Sequence, residues 1–166
     1  MSKTQLPEPD QVLRAIEVYL DRAYGNAPGS PPARPSAAVR SMVDQLRACK
    51  EDLLASPAFV RSGDAECLSF SLRLGNRCYP HMKLVIEPSP GGQGYLFRAD
   101  THDRHICLPP EHPEFEAMSR MRRENQQVAE AIEAGWQEAG IPTFKSYLRE
   151  DLSRRQASAA KVVQTT

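Results

Sequence analysis

The clearest pattern along the chain is a one-by-one alternation of apolar and polar residues that begins at Cys67. The apolar positions of its first run are Leu68, Phe70, Leu72 and Leu74. A second run has Met82, Leu84 and Ile86 at alternate positions, and a third extends from Tyr95 to Asp100. A period of two is typical of a β-strand with one face in the core and one face in water. The segment from about Glu66 to Asp100 therefore predicts an antiparallel β-meander.

The turn between the second and third runs, Pro88–Gly94, allows the strand register to be predicted. If the hairpin is symmetric about the two adjacent glycines of this turn, Ile86 lies opposite Phe97 and Leu84 lies opposite Ala99. Both pairs then share the apolar face. A slip by one residue would set apolar side chains against polar ones, so the pattern favours this register.

Helical periodicity marks the segments on both sides of the meander. A first helix is predicted from Asp10 to a stop at Gly25, and a second begins after Ser36, a good N-cap. A long third helix is predicted at about 113–139, and a short last helix begins at Thr143. Each carries apolar residues three and four positions apart, which is the spacing of a buried helix face.

These elements predict an α+β fold. The sheet is expected to have three or four antiparallel strands, packed on one face by the N-terminal and C-terminal helices. Ile106 and Leu108 either add the fourth strand or anchor a loop.

The 166 residues suit one domain. The α+β domain is predicted over 10–155, with a proline- and glycine-rich linker at 25–35 between the first two helices. Residues 1–9 are expected to form a flexible N-terminus, and residues 156–166 a disordered tail.

Composition narrows the class of protein. The 21 basic residues balance the 21 acidic ones, so the total charge favours neither nucleic acid nor an anionic membrane as a partner. No apolar run approaches the roughly 18 residues of a membrane span, and Met1 to Gln11 does not have the pattern of a signal peptide. A cytoplasmic location is therefore expected, where cysteines are thiols. Of these, Cys49 falls on the apolar stripe of the second helix and is predicted to be a core residue.

The polar face of the hairpin brings together the side chains that are best suited to catalysis or ligand binding. The register that pairs the apolar residues also places Lys83 opposite Asp100 and His81 opposite His102. The same rule applied to the first strand brings Arg73 beside Lys83. Directly opposed side chains have Cβ atoms roughly 4.5–5.5 Å apart, so these side chains are expected to meet.

Histidine beside carboxylate can carry out acid–base chemistry. The catalytic candidates are His81, His102 and Asp100. The candidates for ligand binding are Arg73, Lys83 and Asp103, of which the two cations would hold an anionic substrate. The simpler alternative is an exposed cross-strand salt bridge with two solvated histidines, because charged pairs are common on a wet sheet face.

The same region offers a candidate zinc site. Cys78 and His81 form a C-x-x-H pair, and His102 and His105 form an H-x-x-H pair. Two such pairs can close a tetrahedral zinc site. The main expectation is that the protein holds no cofactor, and zinc at these four residues is the alternative.

Cys107 is a candidate nucleophile, because His105 would share its face in a strand. The order of Tyr79-Pro80 after a strand, a further strand, and Ile106-Cys107-Leu108 before a helix resembles the ubiquitin-conjugating fold. That resemblance implies an acceptor role for Cys107. The His-Pro-Asn that precedes the cysteine in that family is absent here.

Three sequence blocks also resemble a group of small uncharacterised bacterial proteins. They are RLGN at 73–76, YPHMKL at 79–84 and DTHD at 100–103. The resemblance implies a bacterial source and covers residues 68–150, and it brings no activity with it.

The sequence favours a binding or interaction protein, because no specific catalytic motif accompanies its balanced charge. The expected partner is another protein chain or a second copy of this one. The alternative is a small hydrolase or transferase that uses His81, His102 and Asp100, with or without zinc.

Overall fold

The computed structural model describes residues 6–24, 34–64, 67–74, 82–92, 94–101 and 108–164. Helices α1 to α4 span, in order, Pro9–Tyr24, Ala37–Ala48, Phe115–Glu138 and Phe144–Gln164. Strands β1 to β4 span, in order, Phe59–Ser62, Ser69–Arg73, Met82–Pro88 and Tyr95–Thr101. A 3₁₀ segment, Lys50–Ala55, lies between α2 and β1. The α+β class is confirmed. The predicted linker lies outside the described residues from 25 to 33.

The four strands form one antiparallel sheet in the order β1-β2-β3-β4. The fourth strand is β1, which precedes the meander. Phe59 is its one buried residue, so its side chains show no alternation that would reveal a strand. Ile106, offered as part of a fourth strand, lies outside the described residues, and Leu108 lies in no strand.

The register of the β3–β4 hairpin confirms the prediction from the glycine turn. Leu84 pairs with Ala99, and Ile86 pairs with Phe97. All four side chains are buried on one face of the sheet. Burial of one face fixes the register, because a slip by one residue would turn every apolar side chain toward water.

The core forms where α1 and α3 meet that apolar face. Trp136 and Ile132 of α3 are fully buried, and the Trp136 ring packs edge-on against Phe97 with a centroid distance of 6.1 Å. The indole Nε1 donates a hydrogen bond of 2.9 Å to the carbonyl oxygen of Ala15 in α1. One side chain thus ties both helices to the sheet.

Gly135 allows α1 and α3 to approach closely. A Cβ at this position would lie 2.7 Å from Cγ1 of Val18 and 3.1 Å from Nε of Arg22. A real Cβ atom does not tolerate the shorter distance. The missing side chain is therefore part of the helix–helix contact.

Cys49 corrects one expectation from the sequence. Ser36 caps α2 as predicted, since its Oγ accepts a hydrogen bond from the Val39 amide. However, α2 ends at Ala48, and Cys49 is the C-cap and is exposed. The turn into the 3₁₀ segment breaks the helical period, so the apolar stripe does not continue through Cys49.

The chain ends also differ from expectation. Pro7 is buried and α1 begins at Pro9, a residue whose fixed φ suits the first turn of a helix. The long helix begins at Phe115, two residues later than predicted. The last helix is not short: α4 continues to Gln164, through most of the segment predicted as a disordered tail. Three alanines between residues 157 and 160 favour that continuation.

The outer edge of β4 is covered by the chain that leads into α4. The Phe97 amide donates a hydrogen bond of 2.9 Å to the carbonyl oxygen of Pro142, and Phe97 forms an isolated parallel bridge with Thr143. Covering an edge in this way removes a site of unwanted strand pairing. It also fixes the start of α4 against the sheet.

Candidate functional site

Charged side chains line the outer face of the β3–β4 hairpin, and we name them the charged ladder. Its members are Lys83, Glu87, Arg98 and Asp100. Strand residues two or four positions apart share a face, so residues 83 and 87 lie on the side of β3 that is opposite the core. The paired register then brings residues 98 and 100 of β4 beside them.

The Arg98 guanidinium bridges two carboxylates of this ladder. Its Nη2 donates a hydrogen bond of 2.7 Å to Oε1 of Glu87, and its Nη1 lies 3.3 Å from Oδ1 of Asp100. Nζ of Lys83 lies 3.9 Å from Oδ2 of Asp100. Asp100 therefore faces two cations, one on each oxygen.

The ladder is only partly open to water. Side-chain exposure ranges from 22% for Asp100 to 34% for Arg98. Val85, directly opposite Arg98, also points to the outer face and yet is 7% exposed. Half-buried ion pairs are screened less by salt than fully exposed ones, so we expect this network to contribute more to stability than isolated surface pairs do.

The pKa of Arg98 is raised above its usual value. Burial acts to lower it, but the hydrogen bond that Arg98 donates to Glu87 and the negative charges of Glu87, Asp100 and Glu133 together outweigh burial. Arg98 therefore keeps its positive charge, and the ladder keeps its central cation.

The charged network continues around the edge of β4. Glu133 of α3 is 7% exposed, and its Oε2 lies 2.9 Å from Nζ of Lys145 at the start of α4. Its charge also favours the charged form of Arg98. The outer face of the sheet, α3 and α4 are thus linked by charge at this edge.

Three residues of the predicted polar cluster lie within the described residues, and the strand register brings them together. Lys83 pairs with Asp100 and Arg73 pairs with Lys83 in the strand register, as expected. The remaining candidates lie outside the described residues: Cys78, His81, His102, Asp103, His105 and Cys107. Within the ranges that are described, no group of three or more acidic, histidine or cysteine residues could hold a metal ion. The catalytic and zinc hypotheses stay predictions.

Sequence reasoning missed Arg98 and Glu87, which make the shortest contact of the ladder. The sequence does contain a signal for this contact. Arg98 lies two residues before Asp100 and so shares its face, and the predicted register places it diagonal to Glu87. The contacts as they stand suit a network that holds the hairpin together.

A groove of about 340 Å³ opens on the opposite side of the domain from β4, between the N-terminal segment, the 3₁₀ segment and the first two strands. Its apolar lining includes Leu53, Leu54, Leu68 and Phe70. Three acidic residues also line it: Glu8, Glu51 and Asp52. Arg61 lies among them, and its Nη2 donates a hydrogen bond of 2.8 Å to the carbonyl oxygen of Leu54. We name this feature the acidic groove.

The second half of α4 extends away from the core. None of the 21 residues of this helix is buried, and every residue from Leu152 to Gln164 is exposed. Leu152, Val162 and Val163 are 58%, 67% and 75% exposed. The helix also carries charge, and no helix in the described ranges is both long and apolar enough to cross a membrane.

Comparisons with known proteins give no match to a family model, a curated protein or a solved structure.

Proposed function

We propose that this chain is a protein-interaction module and that the exposed part of α4, Leu148–Gln164, is its contact surface. The observation that carries the proposal is the exposure of large apolar side chains along this stretch. Leu148 and Leu152 are 43% and 58% exposed and lie one helical turn apart, and Val162 and Val163 follow further along. A contact with another chain would remove them from water.

The energetics of helices support the proposal. A helix stabilised only by its own residues is marginal in water below roughly 12–15 residues, and most helical stability in proteins comes from packing. The stretch from Leu152 to Gln164 is of that length, and each of its residues is exposed, so burial within the described part of the chain stabilises it little. Two pairs spaced four residues apart, Arg154 with Glu150 and Arg155 with Asp151, add only tenths of a kcal/mol each, roughly. Packing against a partner chain would supply the stabilisation that these two ion pairs do not.

The charge of α4 indicates the chemistry of the partner surface. Its basic residues are Lys145, Arg149, Arg154, Arg155 and Lys161, and its acidic residues are Glu150 and Asp151. A surface with apolar side chains and an acidic rim would complement it. The balanced charge of the whole chain favours such a protein surface over nucleic acid.

The test compares the full chain with the Leu148→Gln/Leu152→Gln variant, because glutamine keeps helix propensity while removing apolar surface. Light scattering measures self-association, and affinity capture with quantified stoichiometry measures association with other proteins. Val60→Thr is the matched control, since Val60 is 65% exposed on β1, away from α4. We expect the α4 variant to lose an association that the control retains. Associations unchanged in the α4 variant, or absent from the unsubstituted chain, would overturn the proposal.

A further inference from the structure

The structure points to a specific partner for this helix: we propose that α4 of one copy docks in the acidic groove of a second copy. The inference rests on the proposed function and names the occupant of the contact surface. The two features that it joins, a basic helix with exposed leucines and an acidic groove with an apolar lining, both lie on this one chain.

The groove has the chemistry to receive such a helix. Leu53 and Phe70 are almost fully buried beneath it, whereas Glu51 and Asp52 are exposed at its rim. Glu8 adds a third carboxylate from the other wall. An apolar floor with a charged rim is the usual anatomy of a helix-binding groove, in which side chains one turn apart provide the anchors.

The helix presents the matching pattern. Leu148 and Leu152 are four residues apart and therefore share a face, and Arg155 follows three residues later on the same side. Arg149 flanks the first leucine. The leucines can enter an apolar groove while the guanidinium groups meet carboxylates at its rim.

Charge complementarity supports the choice of occupant. The groove offers three carboxylates against one guanidinium, that of Arg61, which already donates a hydrogen bond to the Leu54 carbonyl oxygen. The exposed stretch of α4 has the opposite excess. Charges arranged in this way speed association and disfavour a mismatched register, and they weaken with added salt.

Reciprocal docking makes the assembly finite. Each copy has one helix and one groove, so two copies related by a two-fold axis can exchange helices and satisfy both contacts. Closed two-fold dimers are the commonest soluble oligomers. The same contacts made in one direction only would build an open chain of copies.

The test uses two full-length charge-reversal variants. The groove variant is Glu51→Lys/Asp52→Lys, and the helix variant is Arg149→Glu/Arg155→Glu, which reverses the two arginines placed beside the leucines. We expect the unsubstituted chain to be a dimer, and each variant alone to dissociate with a Kd raised about tenfold or more. Mixed together they should form a heterodimer, because the basic helix of the groove variant meets an acidic groove, and the acidic helix of the other meets a basic one.

Sedimentation equilibrium of each variant and of the mixture gives the answer. Glu111→Lys/Glu124→Lys, which reverses two exposed acidic residues elsewhere, should dimerise like the unsubstituted chain. Recovery in the mixture also shows that both variants are folded. A monomer at every concentration, or a dimer indifferent to the groove variant, overturns the inference. If the dimer fails these tests but α4 still captures a different protein through Leu148 and Leu152, only the self-docking inference is contradicted and the proposed function stands. If α4 captures no protein at all, both the inference and the proposed function are contradicted.

Discussion

Arg98 and Glu87 join the two strands of the central hairpin diagonally, with Nη2 of Arg98 2.7 Å from Oε1 of Glu87. Neither residue lies opposite the other in the register, since Arg98 pairs with Val85 and Glu87 pairs with Leu96. The long arginine side chain reaches across one register step to make the contact. The same guanidinium holds Asp100, so one cation stabilises two carboxylates on a partly buried face.

A double-mutant cycle between Arg98→Met and Glu87→Gln measures this contact. We expect a coupling energy of about 0.5–1 kcal/mol in the free energy of unfolding, because the pair is charge-assisted and two-thirds shielded from water. Arg98→Met alone should cost about 1–3 kcal/mol, since it leaves both carboxylates without that cation. Urea unfolding followed by circular dichroism measures each variant.

The matched reference for this cycle is Arg154→Met with Glu150→Gln on α4. That pair is 3.8 Å apart and about 70% exposed, so its coupling should be smaller than that of the hairpin pair. Equal coupling at both places would show that partial burial of the ladder contributes nothing.

Trp136 is the side chain that connects α1, α3 and the sheet, so its replacement tests how the core is held. Trp136→Phe removes the donor to Ala15 and leaves a cavity beside Phe97. We expect a loss of about 2–4 kcal/mol in the free energy of unfolding, without a change of fold. Chemical unfolding measures the loss, with Val60→Thr as an exposed control that should change stability by less than about 0.5 kcal/mol. A loss as small as that of the control would contradict the role given to Trp136.

The hairpin was predictable because one face of it is buried. Leu84 and Ile86 each require an apolar partner, and only one register supplies Ala99 and Phe97 together. The pairing of Lys83 with Asp100 then followed from the backbone alone. The same register also places Arg98 diagonal to Glu87, but the contact between them depends in addition on the reach of the long arginine side chain.

Cys49 and α4 show where periodicity stops being informative. Cys49 continued the apolar stripe of α2, but the helix ended one residue earlier, and local spacing does not reveal such a turn. Every residue from Leu152 to Gln164 of α4 is exposed, so no buried apolar stripe marks this end of the helix in the sequence.

The close approach of α1 and α3 at Gly135 gives a third test. In Gly135→Ala the new Cβ would collide with Val18, at a cost of about 1–3 kcal/mol, against a gain of about 1 kcal/mol from the higher helix propensity of alanine. We expect a net loss of stability of about 1 kcal/mol. Adding Val18→Ala removes the colliding atom, so the double variant should be more stable than the sum of the two single changes implies. Simple additivity in thermal or chemical unfolding would show that the helices move apart freely.

Tyr19 makes the stability of the fold sensitive to alkaline pH. Burial, and to a smaller degree the charge of Tyr24, raise the pKa of Tyr19 above its ordinary value of 10.0. The unfolded chain then releases this proton from about pH 10 upward while the folded chain retains it, so stability is fully present below pH 10 and falls as pH rises above it. The slope from one such group is at most about 1.4 kcal/mol per pH unit. Burial also raises the pKa values of Tyr24 and Tyr95, so they act in the same direction.

Tyr19→Phe isolates this contribution. At neutral pH the variant loses a hydrogen bond of 3.5 Å to the Leu74 carbonyl oxygen, which should cost about 0.5–1.5 kcal/mol. Above pH 10 it should lose stability more slowly than the unsubstituted chain, because phenylalanine has no proton to release. Urea unfolding at a series of pH values from 7 to 11 measures how the free energy of unfolding changes with pH in the variant and in the unsubstituted chain. Parallel curves above pH 10 would mean that Tyr19 ionises as readily in the folded chain as in the unfolded one, and that water reaches its hydroxyl.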